Sequence, residues 1–343
     1  MIVTLTANPS VDRTVELAGP LRRGAVQRAL SVTSEPGGKG VNVARAVTAA
    51  GRLAVAVLPA DHDDPVVLAL RELMVPHRAL PVHGRVRVNL TVAEADGTTT
   101  KINEPGVPLD RAVLDRLGEA VLREAAGARW AVLSGSLPPG VPAGWYAELV
   151  AALATSGARV AVDTSGAPLR ALLESSRPDG AGLPDLLKPN AEELAELVAV
   201  LDAQEPAAAS SPADRVVADL EADPAAAARA ARRLVDRGVG AVLATLGSAG
   251  ALLVTADGAW RATTAPVAAR STVGAGDSTL SGYLLADLAG VDAPGRLAHA
   301  VAYGAAAVQL PGSTVPTPAD LREQLVTTTA LAWEEAPAPA GSV

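Results

Sequence analysis

Residues 271–285 read STVGAGDSTLSGYLL, in which two glycines, Gly274 and Gly276, immediately precede the carboxylate of Asp277. From Asp277 onward, apolar and small residues recur at three- and four-residue spacing, which predicts a helix over 277–289. A helix that begins at a turn of small residues leaves its first backbone N–H groups unpaired, and the helix dipole adds partial positive charge there. The stretch therefore predicts an anion-binding site.

Asp277 has two alternative roles in such a turn. Aspartate commonly caps a helix by accepting a hydrogen bond from a backbone N–H group. The same carboxylate is also suited to take the proton from a hydroxyl that attacks a phosphorus atom. Because the turn by itself fits both roles, the rest of the chain has to separate them.

Composition sets the broad class of the protein and excludes several kinds of site. The chain has 343 residues, 49% of them hydrophobic, which is enough for one large α/β domain or two ordinary ones. It has no cysteine, which excludes disulfides and thiolate metal sites, and its four histidines are scattered. The net charge of −8, without a basic run, argues against nucleic acid and anionic membranes as partners.

The apolar segments predict strands rather than targeting or membrane segments. The N-terminal run IVTLTAN has the pattern of a buried strand and lacks the features of a signal peptide. The longest uncharged run, 238–256, is interrupted by the turn TLGSAG, which predicts strand–turn–strand instead of a membrane span. We therefore expect a cytoplasmic protein.

A second glycine-rich turn, Gly37-Gly38-Lys39-Gly40, precedes the helix-like run VNVARAVTAAG. It lacks the spacing of a P-loop and that of a dinucleotide-binding fingerprint. A lysine at a helix start would add a cation to an anion-binding turn. The alternative is an ordinary helix entry with an exposed lysine.

A hairpin is predicted around Asp96-Gly97, because residues 85–95 alternate in polarity and TTTKINEPG follows the turn. Arg85, Arg87 and Asn89 share one face of the first strand by the two-residue period. These cations either lie on a solvated surface or close over a sugar phosphate. The apolar face of the hairpin packs on the main sheet or on a second subunit.

From residue 110 to 330 strands alternate with helices, which predicts a parallel sheet covered by helices on both faces. Ligands of such sheets bind beyond the carboxyl ends of the strands. Polar turns follow several of the predicted strands, at Asp163 and at residues 188–190, 245–250 and 274–277. Their convergence on one edge favours a functional role for Asp277 over a capping role.

In these motifs the sequence resembles the ribokinase-type carbohydrate kinases of the phosphofructokinase B family. Within that family it most resembles the branch of 1-phosphofructokinases and tagatose-6-phosphate kinases. The resemblance covers about residues 1–325. It is carried by PGGKGVNVARA and STVGAGDSTLSGYL, with supporting matches in TANPSVDRT, INEPG, SGSLPPG, VDTSG, KPNAEE and TLGSAG. One departure is LPADHDDPVV, where the family usually has a glycine-rich turn.

The resemblance implies an α/β, ribokinase-like three-layer sandwich with a central, mainly parallel sheet and a small β lid. One kinase domain would span residues 1–330, with lid segments at about 9–35 and 84–105. Residues 202–224, rich in Ala, Pro, Ser and acidic groups, would form a surface insertion, and 331–343 a flexible tail. The lid would also pair two copies of the chain as a homodimer.

The resemblance also implies a role for each matching residue. Asp277 would be the catalytic base, and the N–H groups of Gly274, Ala275 and Gly276 would stabilise the transferred phosphoryl group. The residues implied in sugar-phosphate binding are Asp12, Arg28, Gly38, Lys39, Asn42, Arg87, Lys101 and Ser136. Those implied in ATP binding are Lys188, Asn190, Thr245, Gly247 and Gly250, and Glu193 would organise Mg²⁺.

The implied activity is ATP-dependent phosphorylation of fructose 1-phosphate to fructose 1,6-bisphosphate. The same residues also fit tagatose-6-phosphate kinase and 6-phosphofructokinase, and more remotely a non-catalytic regulator that binds a sugar phosphate. Five residues keep a structural alternative: Asp163 as a turn former, Ser134 and Ser136 as loop residues, and Glu192 and Glu193 as charges in the first turn of a helix.

Overall fold

The computed structural model describes residues 1–176, 182–204 and 220–331. Strands and helices alternate along most of this chain, as the sequence pattern predicts. The strands are β1 (Ile2–Thr6), β2 (Ser10–Glu16), β3 (Ser31–Gly37), β4 (Ala54–Pro59), β5 (His77–Leu80), β6 (Arg87–Ala93), β7 (Thr99–Asn103), β8 (Trp130–Ser134), β9 (Arg159–Asp163), β10 (Leu186–Leu187), β11 (Ala241–Thr245), β12 (Ala251–Thr255), β13 (Gly258–Thr264) and β14 (Val326–Leu331).

Nine α-helices lie between these strands in the described ranges. They are α1 (Lys39–Ala49), α2 (Pro65–Glu72), α3 (Arg111–Ala125), α4 (Trp145–Leu153), α5 (Ala167–Glu174), α6 (Ala191–Gln204), α7 (Pro224–Asp236), α8 (Ala275–Leu288) and α9 (Ala293–Ala307). None of these helices combines the length and hydrophobicity that crossing a membrane requires.

The main sheet has ten strands in the order β14-β13-β12-β11-β10-β9-β8-β1-β4-β5. The strands from β11 through β5 run parallel, whereas β12, β13 and β14 extend the sheet antiparallel. Parallel neighbours are joined by crossover helices, while β11, β12 and β13 follow one another through short turns. The parallel strands therefore all end at the same edge of the sheet.

Helices cover both faces of the main sheet, which gives the three layers that the sequence predicts. One core cluster joins the sheet to α3–α7 and includes Leu117, Leu169 and Leu234. The other joins it to α1, α2, α8 and α9 and includes Val47 and Leu284. Because the chain has no phenylalanine and few other aromatic residues, both clusters are packed mainly with leucine, valine and alanine.

The second sheet has four strands in the order β3-β2-β6-β7, and we call it the lid. Its register places Asp12 beside Asn89, and Lys101 two residues further along on the same face. The opposite face carries Val15, paired with Val32 and with a valine of β6. The lid thus has one polar and one apolar face, and β3 runs directly into α1 through Gly37 and Gly38.

Several boundaries differ from the sequence prediction. The run VQRALSVTS predicts a strand over 26–34, but β3 spans Ser31–Gly37, which are the residues that pair with β2. Three strands, β5, β13 and β14, were not predicted from the sequence pattern. Leu331, which we assigned to the tail, pairs with Ala259 as the last residue of β14.

Much of the predicted insertion and of the predicted tail cannot be compared with the structure. Of the expected insertion 202–224, residues 205–219 lie outside the described residues, and the expected tail does so from residue 332 onward. The described parts of the insertion include the end of α6 and the start of α7, which begins at Pro224 with the Asp223 carboxylate as its cap.

Candidate active site

The N-terminus of α8 is open to an anion. Gly274 has the left-handed backbone conformation (φ 75°), which favours glycine, and no side chain caps the helix. Asp277 is the third residue of α8 and is 7% exposed. Its Oδ2 accepts a hydrogen bond from Nδ2 of Asn42 at 2.8 Å. The side chain of Asp277 therefore does not cap α8, which was the structural alternative for this residue.

Asp163 joins two lysines beside this helix end. Its Oδ1 lies 2.6 Å from Nζ of Lys39, and its Oδ2 lies 3.1 Å from Nζ of Lys188. Asp163 ends β9, Lys188 directly follows β10, and Lys39 begins α1. Parallel strands bring these residues to one edge, as the polar turns predict. Asp163 was expected in a polar turn at this edge, but its buried double ion pair was not predicted from the sequence.

These charges set the protonation of Asp277. Burial raises the pKa of its carboxyl, as does the negative charge of Asp163, whereas Lys39, the Asn42 hydrogen bond and Lys188 lower it; the result is about 6. The pKa of Asp163 is held below its usual value, because Lys188 and Lys39 outweigh its burial. Burial by itself would lower the pKa of Lys39. The negative charges of Asp163 and the other nearby carboxylates outweigh burial, so the pKa of Lys39 lies above its usual value. With a pKa of about 6, the carboxyl of Asp277 is mostly ionised at neutral pH.

The residues expected at ATP lie along the neighbouring strand ends. Asn190 forms a β-bridge with Thr245, the last residue of β11. A Cβ placed on Gly276 would lie 3.3 Å from Nζ of Lys188, so this ammonium group stands next to the open turn of α8. Gly250 has a φ of 95°, and any side chain there would clash with the carbonyl of Ala262.

Gly247, the other glycine of this turn, is exposed at the start of a short 3₁₀ helix, Gly247–Ala249.

Glu193 is only partly free to organise a metal ion. Its Oε2 accepts from the backbone N–H of Asn190 at 2.9 Å, and the Asn190 Oδ1 accepts from the N–H of Glu193 at 2.8 Å. This reciprocal pair is a capping box at the start of α6, so the structural alternative for Glu193 is present. In the described ranges no three acidic or histidine side chains are grouped as a metal cage.

On the side of the lid, Asp12 and Asn8 organise a polar surface. Asp12 accepts hydrogen bonds from Oγ of Ser10 at 2.7 Å and from Nδ2 of Asn89 at 3.0 Å. Asn8 donates from Nδ2 to Oγ of Ser136 at 3.3 Å. Arg87 donates to the carbonyl oxygens of Asn8 and Glu104. The sequence pattern placed Asn89 on the face of Arg85 and Arg87, whereas Asn8 was not singled out.

Two of the predicted substrate residues stand apart from the Asp163 cluster. Arg28 is exposed in the loop between β2 and β3, and Lys101 is exposed on the polar face of the lid. Gly38, by contrast, lies between β3 and α1, with a φ of 105°. Asn42 is one turn into α1 and reaches Asp277 across 235 residues of sequence.

In the segment LPADHDDPVV, which departs from the family pattern, two carboxylates form structural hydrogen bonds. Asp64 caps α2 by accepting from the N–H of Val66 at 3.1 Å, and it also accepts from the N–H of Val86 at 2.9 Å. Asp61 accepts from the N–H of Val82 at 3.0 Å. In this chain, aspartates therefore fix the turn by hydrogen bonds to the segment that leads into β6.

The α/β fold brings an open helix N-terminus, a carboxylate of raised pKa and two lysines to one sheet edge, a combination of groups suited to binding phosphate. The family model described as pfkB family carbohydrate kinase matches residues 5–320. The chain belongs to this family, and the protein is therefore a sugar kinase by family. The predicted ribokinase-like fold is confirmed.

Individual relatives agree with this family. A 1-phosphofructokinase of Xanthomonas campestris is 36% identical over 87% of this chain and 88% of its own length. An ATP-dependent 6-phosphofructokinase isozyme 2 of Escherichia coli is 34% identical over 83% of this chain and 84% of its own. The crystal structure of Escherichia coli phosphofructokinase-2 with substrates and products matches with a TM-score of 0.79 and 32% identity, covering 94% and 97% of the two chains.

Proposed function

We propose that the protein transfers the γ-phosphoryl group of ATP to fructose 1-phosphate and produces fructose 1,6-bisphosphate. One observation carries the proposal: the ionised Asp277 carboxylate lies inside the open N-terminus of α8, beside the lysines that Asp163 holds. Such a site offers a proton acceptor and an anion-stabilising surface at the same point. The similarity to the 1-phosphofructokinase of Xanthomonas campestris supports the choice of sugar phosphate.

In the proposed mechanism, the free primary hydroxyl of the sugar phosphate attacks the γ-phosphorus of ATP. Its proton passes to the carboxylate of Asp277, and the bond between the γ-phosphorus and the β–γ bridging oxygen breaks, so that ADP leaves. The N–H groups of Gly274, Ala275 and Gly276 donate to the equatorial oxygens of the transferred group. Because a pKa of about 6 leaves the carboxylate ionised at neutral pH, proton transfer needs no further activation.

The lysines of the cluster have distinct tasks in this mechanism. Lys188, next to Gly276, neutralises the nucleotide phosphates as charge moves to the leaving group. Lys39 at the start of α1 faces the sugar side, where it binds the phosphate already present on the substrate. Asp163 keeps both ammonium groups in place, and the low pKa of its carboxyl ensures that it stays ionised.

Magnesium fits this site as an ion that keeps most of its waters. Mg²⁺ typically binds one or two carboxylates together with substrate phosphates rather than a full protein cage. Glu193 uses one oxygen in its capping box and keeps the other, which suits contact with a hydrated ion. When bound, the ion would neutralise charge on the nucleotide phosphates. Asn190, Thr245, Gly247 and Gly250 would bind the nucleotide beside it.

On the acceptor side, Asp12, Gly38 and Asn42 bind the sugar hydroxyls in this proposal, and Ser136 completes that surface. The phosphate of the sugar is bound by Lys39 together with Arg87 and Lys101, which requires the lid to lie over the substrate. Arg28, in the exposed loop of the lid, is the remaining cation assigned to that phosphate.

A coupled assay of ADP release tests the proposal with fructose 1-phosphate, fructose 6-phosphate and tagatose 6-phosphate. We expect the highest kcat/KM with fructose 1-phosphate. The similarity to the Escherichia coli 6-phosphofructokinase makes fructose 6-phosphate the main competitor. A higher kcat/KM with either 6-phosphate would contradict the proposed substrate, and binding without turnover of any of them would indicate a non-catalytic regulator.

We also propose that two copies associate through the apolar face of the lid. Val32 and Ile102 on that sheet are 56% and 58% exposed in the single chain. Exposed apolar residues on an unpaired sheet face commonly mark an interface. Sedimentation of the double variant V32E/I102E should give a monomer where the wild type gives a dimer. The matched control M74E introduces the same charge at another exposed apolar residue and should leave the dimer intact.

A further inference from the structure

Arg45 is a buried cation one turn after Asn42 on α1, and the mechanism above does not use it. Its side chain is 6% exposed. Its Nη1 donates to Oδ1 of Asn42 at 3.2 Å and to the carbonyl oxygens of Pro36 and Ser313. Its Nη2 donates to Oε1 of Glu35 at 3.0 Å. The guanidinium group is therefore fixed from several sides at once.

Glu35 in turn is anchored outside α1. Its Oε2 accepts from both the backbone N–H and the hydroxyl of Ser313, each at 3.0 Å. Arg45 thus joins three separate parts of the chain: the lid strand β3, the start of α1 and the segment after α9. A guanidinium group bound in this way cannot follow a rotation of the Asn42 amide.

The amide of Asn42 links this cation to the catalytic base. Its Oδ1 faces Arg45 and its Nδ2 faces Oδ2 of Asp277 at 2.8 Å. If the amide turned over, its NH₂ group would face the guanidinium donors and its oxygen would face the carboxylate. Both hydrogen bonds would be replaced by repulsive contacts. The orientation of Asn42 that donates to Asp277 is therefore the one that Arg45 enforces.

We propose that Arg45 is a positioning residue for the Asp277 carboxylate and that it acts through the amide of Asn42. The inference rests on the proposed role of Asp277 as the proton acceptor. With Arg45 present, Asn42 donates a hydrogen bond that fixes one carboxylate oxygen and favours the ionised form. The other charged groups around this carboxylate are Asp163 on β9, Lys39 on α1 and Lys188 after β10. None of these three bonds Arg45 in the described chain.

The proposal predicts a change in the pH profile that loss of packing alone would not produce. In R45M, which keeps the apolar stem, the acid limb of kcat/KM should move upward by about one pH unit, since a hydrogen bond to a carboxylate is lost. N42A should give a similar shift. The double variant R45M/N42A should shift no further than N42A, because Arg45 acts only through that amide.

A matched control separates this effect from general destabilisation. R159M removes another arginine that is bound to an aspartate of α8, at the opposite end of that helix. It should lower the melting temperature and leave the acid limb where the wild type has it. If R45M does not fold, R45K replaces it in the comparison with N42A. Lysine keeps the positive charge but lacks the forked donors of the guanidinium group, so the acid limb of kcat/KM should move in the same direction.

A second readout does not depend on turnover. The carboxyl carbon of Asp277 can be followed by NMR in protein labelled at aspartate, with the signal assigned from D277N. Its titration should move to higher pH in R45M. If the wild type phosphorylates none of the sugar phosphates and this shift still occurs, the proposed function fails and the positioning role stands. An unchanged titration in R45M, or a shift in R45M/N42A beyond that of N42A, would overturn the positioning role.

Discussion

Helix α8 carries two buried aspartates, and they lie in opposite surroundings. Asp277 near its start receives one hydrogen bond from the neutral amide of Asn42 and has the negative charge of Asp163 nearby. Asp287, ten positions further along, is 3% exposed and accepts from the indole N–H of Trp130 at 2.9 Å.

Three arginines also surround Asp287. Arg159 is hydrogen-bonded to it, Nη1 of Arg296 lies 3.1 Å away, and Nε of Arg129 lies 3.5 Å away. The negative charge of Asp287 is thus compensated by an excess of cations at the end of α8. The negative charge of Asp277, near the start of the same helix, is compensated only in part.

The difference separates a structural carboxylate from a reactive one. A buried carboxylate surrounded by cations is held in its charged form, and removing it leaves those cations without a counter-charge. A buried charge that is only partly compensated has a raised pKa and can take up a proton. Trp130 and Arg159 begin β8 and β9, so Asp287 lies at the end of the sheet opposite to the proposed active site. Variants of the two residues should therefore affect different properties.

The largest effect is expected on the rate of phosphoryl transfer in D277N. A positioned general base typically contributes ~10²–10⁴ in rate, and asparagine cannot accept the proton, so kcat should fall by that factor. Steady-state kinetics on the preferred sugar phosphate measures it. D287N, measured in the fraction that is folded, should keep kcat close to that of the wild type. A loss in D277N of less than about tenfold would rule out the base assignment.

The next largest effect is expected on the stability of D287A. Removing the Asp287 carboxylate leaves the buried indole N–H of Trp130 without its acceptor and three part-exposed arginines without their shared carboxylate, which should cost about 2–3 kcal/mol. Urea unfolding of D287A, with the wild type in parallel, gives this value. D115A removes the carboxylate of the exposed Arg111–Asp115 pair and should change stability by less than about 1 kcal/mol. Equal losses of stability in D287A and D115A would contradict the structural role of the buried Asp287 carboxylate.

A smaller effect of the opposite sign is expected on the stability of D277N. The pKa of Asp277 is raised from 3.8 to about 6 on folding, so the folded chain binds more protons than the unfolded chain between these values. The protonated Asp277 carboxyl therefore contributes its full stabilisation of the folded state below about pH 4. This contribution is lost as the pH rises through about 6 and the carboxyl ionises.

Removing that charge should make D277N more stable than the wild type by about 1–3 kcal/mol at pH 8, and this advantage should vanish near pH 4. Urea unfolding at the two pH values measures it. If D277N were less stable than the wild type at pH 8, the ionised carboxylate of Asp277 would stabilise the folded state, which would contradict this prediction.

Much of the fold and the outline of the site could be predicted from local patterns. Hydrophobic runs predict strands over 130–134, 241–245 and 251–255, and these ranges agree with β8, β11 and β12. The two glycine-rich turns mark the starts of α1 and α8 because small residues at a helix entry leave a local signature. By contrast, β14 reads VTTTAL, a polar sequence that becomes a strand only by pairing with β13.

The contacts that tune the site could not be predicted in the same way. Lys39 and Asp163 are separated by 124 residues of sequence, and the backbone partner of Arg45 at Ser313 lies 268 residues away. No periodicity links such positions. Asp287 illustrates the same limit, because only the three-dimensional structure brings arginines from separate elements around one carboxylate of α8. Sequence patterns identify which residue types meet at an edge, whereas the pairing that sets their pKa values depends on the tertiary structure.

The pH dependence of kcat/KM tests the central claim most directly, because it reports the ionisation of the free enzyme's base. We predict one acid limb with a pKa of about 6 in the wild type, and no such limb in the residual activity of D277N. A wild-type limb below about pH 5, near the usual value for aspartate, or an unchanged limb in D277N would contradict the assignment of Asp277 as the proton acceptor.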